Sequence, residues 1–176
     1  MNIFVLHRNP KNCAQLHCDK HVVKMILETA QLLYTCLWVI GVEYGNILDL
    51  IDDAPLTLSG AKGYKPTHKK HPCVLWLCES TGNYEWLCNL GIELCREYTY
   101  RYGKIHSTQI HIEWLTTHCP NINKTRLTKF KMAMPDIYKS LDVIEAYKAY
   151  YNGEKTFATW TKRPIPAWYT FKQIAE

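Results

Sequence analysis

Residues 19–40 constrain this 176-residue chain more than any other stretch. Read as one helix, the segment has His21, Lys24, Glu28, Gln31 and Thr35 at polar positions. Steps of three or four residues place them in one stripe along one face. The other faces carry Val22, Val23, Met25, Ile26, Leu27, Ala30, Leu32, Leu33, Leu37 and Val39. A helix that is apolar on most sides is buried on most sides. A narrow polar stripe on such a helix must line water, a partner's polar groups or a cleft.

The remaining punctuation organises the chain around that helix. Residues 2–6 read as a short strand or an extended arm, and Asn9-Pro10 as a turn. Residues 10–18 read as a short first helix, and Gly41 and Gly45 as the end of the long one. Residues 46–60 form an acidic, apolar connection, and residues 60–71 a basic loop. Pro72 suits the first turn of a helix. Ser80-Thr81-Gly82 either interrupts that helix or starts a second one over residues 83–102, with Gly103 as its stop. A further helix over 108–118 ends before Pro120, and 121–126 is a polar loop. Ser140 is the expected cap of a last helix that reaches Tyr151, with Gly153 just beyond it. Residues 160–171 form a Pro-interrupted aromatic tail, and no internal repeat is present. The expected fold is a mostly α, single-domain helical bundle over 1–176 with a short N-terminal extended segment.

Composition narrows the class. With 47% apolar and 21% charged residues, the chain is an ordinary globular mix, which excludes a disordered tail, a collagen repeat and a coiled coil. No run approaches the roughly 20 apolar residues of a membrane span. The start, Met1 to Leu6, is too short and uncharged for a signal peptide. The expectation is a soluble intracellular protein with no membrane partner, and its eight cysteines are expected to be reduced. The net charge of +5 is concentrated in three acid-free segments, 62–71, 124–131 and 155–172. These read either as a phosphate-binding face or as three solvated loops.

The stripe holds an acid, a base and an imidazole. Glu28 lies two turns from His21, with Lys24 between them. A carboxylate partly walled by apolar neighbours can serve as a general acid or base. The bland alternative is a structural i, i+4 pair of Lys24 with Glu28. His17 and His21, with Cys13 and Cys18, supply zinc-type ligands, as do His68, His71 and Cys73. No Cys-x2-Cys knuckle accompanies them, and neither a metal nor a cofactor is expected. In the basic loop, Gly60, Gly63 and Pro66 allow a tight backbone around a phosphate. Arg101, Lys104 and His106 are candidates for contacting a second nucleic-acid strand. Trp160, Trp168 and Tyr169, interleaved with Lys162 and Arg163, can stack bases and grip phosphates.

Asp19-Lys20-His21, followed by Glu28 seven residues after the histidine, resembles the phage- and virus-encoded pyrimidine dimer DNA glycosylases of the endonuclease V type. Trp168-Tyr169-Thr170-Phe171-Lys172 is similar to that family's C-terminal aromatic tail, and Lys70-His71-Pro72 to a His-containing segment that opens its middle helix. The resemblance implies a DNA glycosylase with Glu28 as catalytic carboxylate and His21 holding a backbone phosphate. It implies an α-amine nucleophile at Met1 or Asn2, which forms a Schiff base with the sugar and cuts the strand by β-elimination. An α-amine ordinarily titrates near pH ~8, which leaves a usable neutral fraction. The family exposes a small residue after Met removal, whereas this chain has Asn2. The family's two arginines beside the glutamate are Leu27 and Gln31 here, so phosphate clamping falls to Lys20, Lys24, Lys65, Lys69 and Lys70, with His68 and His71 beside them. The partner implied is double-stranded DNA, met in the host cytoplasm if the chain is viral. Two other readings stay open: an N-glycosidase or phosphodiesterase acting on a small nucleotide, and a non-catalytic nucleic-acid- or protein-binding factor.

Overall fold

The computed structural model describes residues 1–170. The described residues form α1 (Pro10–Leu16), α2 (Asp19–Glu43), α3 (Ile47–Leu50), α4 (Pro72–Leu77), α5 (Thr81–Tyr102), α6 (Gln109–Thr117), a 3-10 turn (Asp136–Tyr138) and α7 (Val143–Glu154). There is no β-strand among them, so the architecture is mostly α, as the sequence indicates. Phe171 and Lys172 of the aromatic tail lie outside the described residues.

α2 is the axis of the bundle. It packs against α3, α4, α5 and α6, and α5 packs in turn against α1, α4 and α6. Leu32, Leu33, Tyr34, Cys36 and Leu37 have no exposed surface, as the all-round apolar pattern requires. By length and hydropathy alone α2 would pass as a membrane span, contrary to the expectation that no stretch does. Its apolar window is nonetheless 72% buried inside the protein.

Two boundaries differ from the sequence reading for local reasons. Gly41 lies inside α2: a Cβ there would sit 2.9 Å from the Ile47 Cα, so the missing side chain lets α3 fold back onto α2. Gly45, at φ +72°, is the stop. α7 is capped by Asp142, whose Oδ1 accepts from the Ile144 and Glu145 amides at 2.7 and 3.2 Å. Ser140 instead donates to the Asp142 carbonyl, and Gly153 lies within the last turn. At the start of α5, Ser80 is a cap that accepts from the Asn83 amide at 3.1 Å, so Thr81 opens the helix.

The N-terminal segment is an extended arm. Ile3, Phe4, Val5 and Leu6 are all buried, which suits four successive apolar residues enclosed on every side. Phe4 lies 4.4 Å from the His21 ring and 5.4 and 5.8 Å from Tyr151 and Tyr147, so the arm runs between α2 and α7. Between α6 and α7, residues 120–134 form a strap with no helix or ladder. All eight cysteines are free thiols, and Cys119 alone is exposed.

Candidate active site

Glu28 is 8% exposed and gathers donors from two directions. Its Oε2 accepts the backbone N–H of Asn2 at 3.1 Å, with the Met1 nitrogen 3.9 Å away. Its Oε1 faces Lys24 Nζ at 3.2 Å. Lys24 is largely exposed, so that pair contributes little to stability. The buried arm thus folds back along α2 and brings its first two nitrogens to one carboxylate oxygen.

Asn2 is fixed by its side chain. Nδ2 donates to the Ala133 carbonyl at 2.8 Å, while Oδ1 accepts from the Ile3 amide at 2.8 Å and from the Tyr147 hydroxyl at 3.0 Å. Burial raises the Tyr147 hydroxyl well above its ordinary value, so it remains a donor. The arm, the strap and α7 therefore meet at Asn2, and each supplies one of the groups that hold it.

His21 has a different setting from the one its spacing suggests. It is 5% exposed, packed against the Phe4 ring at a 31° tilt, and its Nδ1 is hydrogen-bonded to the Tyr151 hydroxyl. Burial, followed by the positive fields of His17, Lys155 and Lys24, pushes its pKa down to about 3. A neutral imidazole cannot offer a phosphate a counter-charge. What it contacts is the arm that carries Asn2.

A cavity of about 710 Å³ opens beside Glu28 and Lys24. Val23, Leu27 and Gln31 of α2 form one wall, Leu58, Tyr64 and Lys65 of the loop a second, and His106 and Thr108 a third. The Tyr64 hydroxyl and Thr108 Oγ1 are 3.2 Å apart and tie the second wall to the third. The lining is mostly apolar with a few polar groups and two cations, a composition typical of small-ligand pockets. Leu27 and Gln31, which stand where the family has arginines, are wall residues here.

The structure divides the expected DNA-contacting residues. Lys20, Lys24, Lys65, His68, Lys69 and Lys70 are exposed. Lys20 lies 4.5 Å over the Phe157 ring. His68 holds a left-handed φ of +50°, uncommon outside glycine, in the basic loop. His71 is the N-cap of α4 and accepts from the Cys73 amide at 3.2 Å. Burial, then the N-terminal charge and His68, lowers its pKa, and Glu28 acts in the opposite sense. Those shifts place His71 in the electrostatic neighbourhood of the carboxylate.

Arg101 is a correction. Its side chain has no exposure and is held by Glu97 at 2.7 Å, Asp19 at 2.9 Å and the Gln15 carbonyl at 3.1 Å, so it is unavailable to nucleic acid. Arg163 is likewise committed, with Nε and Nη2 at 3.0 and 2.8 Å from the two Glu97 oxygens. Lys162 is exposed but donates to the Tyr100 carbonyl at 3.0 Å. Trp168 and Tyr169 are half-buried against Tyr151 and Trp160, at 5.8 and 4.8 Å, so they dock the tail on the core and offer no open stacking platform. Lys104 is exposed.

Cys13, His17, Cys18 and His21 are buried in packing, while His68 is exposed and His71 caps α4. His17 Nδ1 bonds the Cys13 carbonyl at 2.8 Å, and burial pushes the Cys13 thiol up to about 12. Among the described residues no three His, Cys, Asp or Glu side chains converge as metal ligands.

Thr108 and Ala133 carry no signal in the sequence, and His106, expected to contact a second nucleic-acid strand, lines the cavity with Tyr64 instead. Tyr64, the His106–Thr108 pair and Ala133 come from three separate connections and follow no spacing rule. The only hint was that the basic loop carries Tyr64 among glycines.

Comparison with known proteins is consistent with this geometry. No curated protein and no solved structure matches the chain. A family model described as pyrimidine dimer DNA glycosylase matches residues 1–111, which include the arm, α2, the basic loop and every wall of the cavity. The chain belongs to the pyrimidine dimer DNA glycosylase family.

Proposed function

We propose that this protein removes a damaged pyrimidine from duplex DNA inside a cell, with Glu28 as catalytic carboxylate and an α-amine of the arm as nucleophile. One observation carries the reading: the Asn2 nitrogen, 3.1 Å from Glu28 Oε2, and the Met1 nitrogen, 3.9 Å from it, meet a nearly buried carboxylate at the edge of an open cavity. Loss of Met1 would make the nearer nitrogen the α-amine.

The chemistry follows from that pairing. The neutral amine attacks the sugar C1′ as the bond from C1′ to the base breaks, and the bonding electrons leave with the base, which takes up a proton. Glu28 stabilises the positive charge that develops on the sugar. Ring opening gives a C1′ imine. A proton is then lost from C2′ and the 3′ phosphate leaves with its C–O electron pair, cutting the strand. Water hydrolyses the imine and returns the amine. Reaching C1′ requires a distorted duplex or an extruded base, at a cost of a few kcal/mol offset by phosphate contacts. The cavity beside Glu28 has room for an extruded base, with Lys24 and Lys65 in its lining, and Lys20, Lys69 and Lys70 are further exposed cations of α2 and the basic loop. His21 is a positioning residue that fixes Phe4 and hence the arm.

The test is borohydride trapping on a duplex with one abasic site, followed by peptide mapping. The expected result is a covalent adduct on the α-amine of Met1 or Asn2. No adduct there, together with glycosidic cleavage of a duplex that carries a pyrimidine dimer, would overturn the amine step and leave a glycosylase that uses water.

A further inference from the structure

We propose that the strap 120–134 is a second phosphate-binding element, a fixed cationic track that carries duplex DNA away from Glu28 and lies outside the part of the chain matched by the family. The inference rests on the DNA reading above and adds a binding surface to it.

The strap has no acid between Glu113 and Asp136, and it carries Lys124, Arg126, Lys129 and Lys131. Lys131 is paired with Glu79 at 3.1 Å. Lys124, Arg126 and Lys129 are exposed, and none of them has an ion-pair partner among the described residues. A solvated loop would leave its backbone to water, but this one is pinned. The Asn123 and Thr125 carbonyls accept from the first two amides of α5 at 2.9 and 3.1 Å, and the Arg126 carbonyl accepts from the Ser80 hydroxyl at 3.1 Å. The Thr128 amide donates to Asn83 Oδ1 at 2.8 Å, and Phe130 is buried between Trp76 and Trp86. A Cβ at Gly82 would lie 2.4 Å from the Leu127 nitrogen, so the strap passes in contact with the α5 backbone. Carbonyls face the protein while the charged heads of Lys124, Arg126 and Lys129 are left to solvent. Immobilised cations bind a polyanion with less ordering cost than mobile ones.

The position completes the case. Near the end of the strap lies Ala133, whose carbonyl accepts from the Asn2 side chain beside Glu28. At about 3.3 Å per extended residue, Arg126 lies at most about 23 Å from Ala133 and Lys124 at most about 30 Å. B-DNA rises about 3.4 Å per base pair, so the track reaches at most about seven to nine base pairs from the reacting sugar. A groove of about 700 Å³ between the strap and α5 is lined by Lys124 and Arg126 with Trp86, Asn89 and one acid, Glu85.

The test compares the native protein with the triple variant Lys124→Gln, Arg126→Gln, Lys129→Gln by fluorescence anisotropy. The probes are two duplexes with a central tetrahydrofuran abasic analogue, one long enough to run past the track on both sides and one ending short of it. Each phosphate contact contributes about 0.9 to the slope of log affinity against log salt. On the long duplex the native protein is therefore expected to lose about 40-fold more affinity than the variant between 50 and 200 mM salt. On the short duplex the difference should vanish, and the variant Lys124→Arg, Arg126→Lys, Lys129→Arg should keep the native slope. Equal slopes on the long duplex, or an equal loss on both lengths, would overturn the track. Glycosidic cleavage by Glu28→Gln on duplexes of the same lengths that carry a pyrimidine dimer in place of the analogue separates the two readings: full cleavage there defeats the catalytic reading and leaves a changed slope standing.

Discussion

Asp19 and Glu28 stand nine residues apart on the same helix, and the fold treats them in opposite ways. Asp19 is saturated: it accepts from Arg101 at 2.9 Å, from the Thr159 and Thr161 hydroxyls at 2.9 and 3.0 Å, and from the Thr161 amide. Burial tends to raise its pKa, but the Thr161 amide, Arg101 and the two hydroxyls outweigh it and hold the carboxyl below its ordinary value. Glu97 behaves alike: burial pushes it up and the hydrogen bonds from Arg163 and Arg101 bring it down further. Glu28 has a surface lysine, the arm's nitrogens and a cavity. A carboxylate whose donors all belong to fixed protein groups locks helices together. One that shares its donors with a nucleophile and borders empty space has capacity left for a substrate.

The contrast can be broken at either end. Glu28→Gln keeps an oxygen for the Asn2 amide, so thermal unfolding should move little while glycosidic cleavage slows by about 10²–10⁴-fold, a range common for lost acid–base or charge-stabilising groups. A single-turnover assay on dimer-containing duplex measures it, and native-like turnover would remove Glu28 from the chemistry. Arg101→Ala should do the reverse. It leaves half-buried Asp19 and buried Glu97 without their shared cation, at a cost of about 3 kcal/mol read from the urea midpoint. A loss below about 1 kcal/mol would mean that the network is not structural.

Acid sharpens the same division. Burial, its largest influence, pushes His17 down to about 4, while His21 lies at about 3. In the unfolded chain both titrate near 6.5. Between those values the unfolded chain binds more protons, so stability rises with pH and is lost as pH falls below about 6.5. The expected loss between pH 6.5 and pH 5, summed over the two rings, is on the order of 3 kcal/mol. Asp19 and Glu97, whose values are depressed, lose their contribution only at lower pH, as their carboxyls protonate. Urea midpoints that do not change from pH 7.5 to 5 would contradict the burial of the two rings.

The sequence exposed what repeats along one element and hid what depends on distant partners. The stripe of α2 puts Glu28 and Gln31 on the face that borders the cavity because helical spacing is local, and Gly103 ends α5 because its left-handed φ is a local demand. Gly41 misleads because its reason is the approach of Ile47, and Ser140 because Asp142 competes for the same cap. Arg101 and Arg163 resemble free cations until folding brings Asp19 and Glu97 to them across 82 and 66 residues. The cavity walls come from three separate segments, so no motif could have announced them.

The thiols record opening of this fold. Cys119 alone is exposed, while burial pushes Cys13 and Cys95 up to about 12 and so suppresses their reactive thiolates. An alkylating pulse would tag the closed molecule at few positions and the opened chain at all eight. Counting mass increments thus turns ordinary cysteines into a stopwatch for how often the bundle breathes.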